Sequence, residues 1–108
     1  MQLQGGHPAA SVFHAQQAAE KAAKGLWAHT KGALAPRTHA VGQLLDGLGA
    51  PSGLTAQGSR LATRYTAVRY PDLWPPQPLP AVSTEEAAAA IADAEDVLEW
   101  VKQELGLS

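Results

Sequence analysis

The 108-residue chain contains no cysteine. Disulfides, thiolate metal sites and cysteine nucleophiles are therefore excluded. Aromatic and large residues are also scarce: one Phe, one Met, two Tyr and three Trp. Alanine supplies much of the 45% apolar content. An alanine-rich interior lets helices approach closely but buries little area per residue, so a second copy of the chain is the expected partner. No apolar run reaches the roughly 20 residues of a membrane span. The start, Met1-Gln2-Leu3-Gln4-Gly5-Gly6, has neither a basic nor an apolar stretch, which reads as no signal peptide and sets a cytoplasmic expectation. Glycine-rich phosphate loops, HExxH pairs and Ser-His-Asp patterns are missing too. His7 and His14 stand seven apart, which is not ligand spacing for a single ion, and no cofactor is implied.

What is present points to one all-α domain, with its core at about residues 8–105. A single core serves chains of about 100–200 residues. Apolar positions Val12, Ala15, Ala19, Ala22 and Leu26 step by three and four, which predicts a helix over about Ala9 to His29. His14, Gln17, Lys21 and Lys24 form a second, polar stripe on it. A short helix is predicted over Thr38 to Leu48, burying Val41, Leu44, Leu45 and Leu48. Gly49-Ala50-Pro51-Ser52-Gly53 breaks it. A third helix is predicted from near Thr55, with Leu61, Tyr65 and Val68 on one face and Arg60 and Arg64 on another. It stops near Tyr70, because Pro71 disfavours a helical residue before it. Residues 71–80 are a proline-rich loop expected to lie on the helices, since Leu73, Trp74 and Leu79 call for cover.

The last helix has the sharpest signals. Ser83 is the N-cap, and Glu86 three residues on completes a capping box. Ala87, Ala90, Ile91, Ala94, Val97, Leu98, Val101 and Leu105 recur at helical spacing, and Gly106 ends the segment. Glu85, Asp93, Asp96, Glu99 and Gln103 are expected on the solvated side. Four helices joined by short turns imply an up-and-down helical bundle.

Charge is divided along the chain. Residues 1–69 carry seven Lys and Arg against two acidic residues, and residues 70–108 carry one against eight. The basic part suits an anionic ligand. The simpler reading is that the two parts attract each other across solvated helix faces.

Ala15-Gln16-Gln17-Ala18-Ala19-Glu20-Lys21-Ala22-Ala23-Lys24, then His39, Arg69-Tyr70-Pro71 and Val97-Leu98-Glu99-Trp100-Val101 follow one another in order. Together they resemble the HEPN domain family (higher eukaryotes and prokaryotes nucleotide-binding), in its RYP-containing prokaryotic form. The resemblance spans about residues 8–105. It implies a helical bundle that commonly homodimerises. Members are often encoded beside a minimal nucleotidyltransferase, and some such pairs act as toxin and antitoxin. The toxin members resemble one another in an Arg followed one or two helical turns later by a His, which acts in metal-independent RNA cleavage.

This chain departs from that pattern twice. Its histidines are His7, His14, His29 and His39, and Arg37 alone among the arginines precedes one of them, by only two residues. The family's first helix also begins well before the QQAAEK stretch, so either the start site is wrongly placed or the first helix is shortened. The shortening implies an open groove lined by Val12, Ala19 and Ala22, an apolar patch suited to self-association.

The candidate ligand-binding residues are Lys21, Lys24, His39, Arg64, Arg69 and Tyr70; no catalytic residue is assigned. For His39 the competing roles are phosphate binding or general base, and a histidine hydrogen-bonded to a neighbouring backbone group. Arg69 suits a phosphate or carboxylate through its planar fork, or an internal pair with Asp72 or the last helix. Lys21 and Lys24 suit an anion, while Glu20 and Lys24 have the i,i+4 spacing of a helix ion pair. Three functions stay open. The first is a non-catalytic, homodimeric module binding a nucleotide or other anion and a nucleotidyltransferase. The second is a ribonuclease toxin using His39 with Arg37, Arg64 or Arg69. The third is a structural interaction domain recruiting a protein through the groove.

Overall fold

The structure, a computed structural model, describes residues 8–69 and 82–107, and within them every side chain but those of residues 9 and 62–69. The described residues form four helices: α1 (Pro8–Lys31), α2 (Val41–Gly47), α3 (Ser52–Arg69) and α4 (Thr84–Leu105). They form the all-α bundle that the periodicity predicts. The proline-rich stretch 71–80, and the side chains of Tyr65 and Val68, lie outside the described residues.

Each helix has a local reason for its limits. Pro8 opens α1, where a missing N–H costs nothing. The Ser83 hydroxyl accepts the Glu86 N–H at 3.0 Å and caps α4. Its hydroxyl also donates to the Glu86 carboxylate at 3.3 Å, so the side chains meet each other. Gly106, at φ 74°, ends α4 in a Schellman pattern: Leu107 N–H donates to the Lys102 carbonyl and Gly106 N–H to that of Gln103. Gly49, at φ 78°, closes α2 in the same way onto Leu45 and Asp46. α2 begins at Val41, later than the predicted Thr38, because Thr38 folds back: its hydroxyl accepts the Ala40 N–H at 3.0 Å. α3 begins earlier than predicted, at Ser52, because the Pro51 carbonyl takes the N–H of both Leu54 and Thr55.

The core joins Val12, Ala15, Ala19 and Leu26 of α1 to Ala87, Ala90, Ile91, Ala94 and Val97 of α4, with Val41, Leu45 and Leu61 completing it. The expected open groove is therefore overturned. Val12 and Ala19 are fully buried and Ala22 packs against the core, because α4 lies along the alanine side of α1. The motive for a groove-recruiting domain goes with it. α2 and α3 come close enough that a side chain on Gly42 would strike the backbone and hydroxyl of Ser59. One on Gly58 would meet Leu45, Val41 and the Gly42 nitrogen at 2.9–3.1 Å. These two glycines let α2 and α3 pack closely.

Asp93 is the second correction. Expected on the solvated side of α4, it is only 6% exposed. Its Oδ1 accepts from Gln57 Nε2 and Arg60 Nη2, each at 3.2 Å, and Gln57 also donates to Asp96 at 2.6 Å. α3 therefore covers this edge of α4 with polar partners, which is what a buried carboxylate requires.

Candidate functional site

The QQAAEK segment places Gln16 and Glu20 one turn apart on α1, with Lys24 a further turn on. The segment before α2 brings His39 against them. Gln16 is fully buried, and its Nε2 donates to the main-chain carbonyl of His39 at 2.6 Å. It reaches Glu20 Oε1 at a longer 3.5 Å. Gln16 Oε1 is buried with no hydrogen-bond partner among the described residues. The two acceptors on Nε2 set the amide's orientation, and the unpaired oxygen follows from it.

Glu20 is the hub. One carboxylate oxygen lies 2.9 Å from His39 Nδ1 and the other 3.0 Å from Lys24 Nζ. A ring nitrogen facing a carboxylate carries the proton and donates it. Burial pushes the Glu20 carboxyl upward. The hydrogen bonds and charges of His39 and Lys24 outweigh that and hold it below the ordinary 4.5.

Beside the hub, Gln17, Ala18, Glu20, Lys21 and Lys24 line an open depression of about 510 Å³. Lys21 is exposed and makes no ion pair among the described residues. One ammonium group and an imidazole meet at the Glu20 carboxylate and a second ammonium lies on the same depression, which suits an anion with several oxygens.

Of the candidates chosen from sequence, Lys24 and His39 meet at Glu20, and Lys21 shares the lining of the depression with Lys24. The Glu20–Lys24 helix pair forms as its spacing indicates. The His39 ring meets the Glu20 carboxylate that α1 supplies, and Gln16 takes the His39 main-chain carbonyl. Arg64 and Arg69 belong to α3 by backbone, with their side chains outside the description, and Tyr70 lies outside the described residues. Sequence reasoning missed Gln16 and the full role of Glu20. A signal for Gln16 was available: positions 12, 16, 19, 23 and 26 follow the buried stripe, and a polar residue on it needs a partner.

Among the described residues no cluster of His, Asp and Glu is arranged to hold a metal ion. None of their helices is long and apolar enough to cross a membrane.

Four helices around an alanine-rich core, with a cationic face on the first, define a small helical-bundle domain. The chain belongs to the HEPN domain family, whose model matches residues 2–104, nearly its whole length. No curated protein and no solved structure matches it.

Proposed function

We propose that this HEPN domain is a non-catalytic, homodimeric module that binds a nucleotide or other phosphate-bearing anion at the α1–His39 face. On this reading it works with a minimal nucleotidyltransferase, as one half of a toxin–antitoxin type pair. The observation that carries the anion site is Lys21 and Lys24 on the lining of the α1 depression, with His39 on the Glu20 carboxylate beside it. Three cationic or protonatable groups against one carboxylate leave the face net positive, and phosphate oxygens match ammonium and imidazolium donors. The non-catalytic reading rests on the sequence, in which no Arg precedes a His by one or two helical turns. Dimerisation is supported by the small area that an alanine core buries.

Isothermal titration with ADP and ATP, against a Lys21→Ala/Lys24→Ala variant, tests the site. Binding that weakens in the variant is expected; heat silence in the wild type rejects it. Co-purification with any minimal nucleotidyltransferase encoded next to it tests the partner, and light scattering tests the dimer.

One observation favours a second reading. The Glu20 carboxylate orients the His39 ring at 2.9 Å, an arrangement that prepares an imidazole for proton transfer. A ribonuclease built on it would arrest growth of a bacterial host, with relief by His39→Ala. Unchanged growth at high expression would exclude it.

A further inference from the structure

The basic groups in and beside the depression are not equally available. Lys21 stands exposed, with no ion pair among the described residues, whereas Lys24 and His39 are both engaged by Glu20. The engagement divides the carboxylate: Oε1 serves His39 Nδ1 at 2.9 Å and Oε2 serves Lys24 Nζ at 3.0 Å. Each of these donors thus meets an anionic oxygen, the kind of acceptor that a phosphoryl group also offers. Glu20 is also fastened. Its side chain is only 16% exposed, and the buried Gln16 amide holds the His39 backbone while reaching Glu20 Oε1 at 3.5 Å. Lys24 and His39 are the more exposed members of each pair, at 33% and 55%. They, more than Glu20, face the solvent from which a ligand arrives.

We infer that Glu20 is an internal counter-anion that gates this site. A phosphate-bearing ligand is met first by Lys21, and it gains Lys24 and His39 only by taking them from the Glu20 carboxylate. The inference rests on the anion-binding reading above and adds a regulatory contact to it. Its consequence has a definite sign. Removing the carboxylate charge while keeping its shape tightens binding, since a negative charge a few ångströms from the ligand opposes it and Lys24 and His39 lose their anionic partner. If Glu20 instead belonged to the cradle, holding Lys24 and His39 in place for the ligand, the same change would weaken binding.

The test is titration of the full chain with inorganic pyrophosphate, comparing wild type, Glu20→Gln and Lys21→Ala by calorimetry at fixed salt. Glu20→Gln is expected to bind about three- to tenfold more tightly than wild type, and Lys21→Ala more weakly, with both effects shrinking as salt is raised. Equal or weaker binding by a Glu20→Gln protein of native helicity overturns the gate, while wild-type binding in that case leaves the anion site standing. No heat from either protein at millimolar pyrophosphate overturns both. Should Glu20→Gln not fold, wild-type NMR decides. The His39 ring nitrogens and the Lys24 ammonium must shift as pyrophosphate saturates, and unmoved signals overturn the gate.

Discussion

The side-chain amide of Gln16 donates to the main-chain carbonyl of His39 at 2.6 Å, tying α1 to a residue 23 positions further along the chain. This contact anchors the segment entering α2, and it allows the His39 imidazole to meet Glu20.

The anchor has a predictable energy. Gln16→Met keeps the shape but removes the donor. The buried, unpartnered Oε1 leaves with it, so the net cost should be only about 1 kcal/mol. Gln16→Glu places a second carboxylate in a fully buried position beside Glu20 and should cost more than about 3 kcal/mol. Urea denaturation at neutral pH distinguishes the two.

Asp93 makes a similar case on α4. Asp93→Ala leaves Gln57 and Arg60 without this acceptor and should cost about 1–3 kcal/mol, with Asp93→Asn losing less because its carbonyl still accepts. Arg60 is half exposed, so a double-mutant cycle between Arg60 and Asp93 should give a coupling below about 1 kcal/mol.

Two glycines should respond in opposite ways to the same substitution. Gly25 lies inside α1 with open space around it, and Gly25→Ala should stabilise by about 0.5–1 kcal/mol. Gly58 is also helical, but a Cβ there meets the Gly42 nitrogen at 3.0 Å and Leu45 at 2.9 Å. Gly58→Ala should destabilise by about 1–3 kcal/mol despite the better helix propensity. Thermal melts of the two variants give the comparison.

Acid should weaken the Glu20 hub. A carboxyl held below 4.5 in the folded chain contributes stability that is fully present above the unfolded value and lost as pH falls through the folded one. The difference in stability between wild type and Glu20→Gln should therefore be constant above about pH 5.5 as far as the Glu20 proton governs it, and shrink below 4.5. Urea midpoints of both proteins across pH 3 to 6, marking roughly the range over which a carboxyl titrates, check this.

Much of the fold was legible because its signals are local. The capping serine at 83, the glycine at 106 and the spacing of Ala87, Ala90, Ile91, Ala94 and Val97 each act within a few residues, and α4 follows from them. The i,i+4 pair of Glu20 and Lys24 was legible for the same reason. The start of α2 was not, because Thr38 chose a bond to Ala40 over helix, and that choice depends on how the 32–40 segment docks.

By itself the sequence determined that the chain is helical and where most of its helices lie. Only the tertiary structure decided that Gln16 is buried, that Asp93 is covered by α3, that no groove opens along Val12 and Ala19, and that Glu20 joins Lys24 to His39. The physical reason is range. Periodicity and caps are properties of a few neighbouring residues, whereas burial and a hydrogen bond spanning 19 or 23 positions exist only once helices have packed.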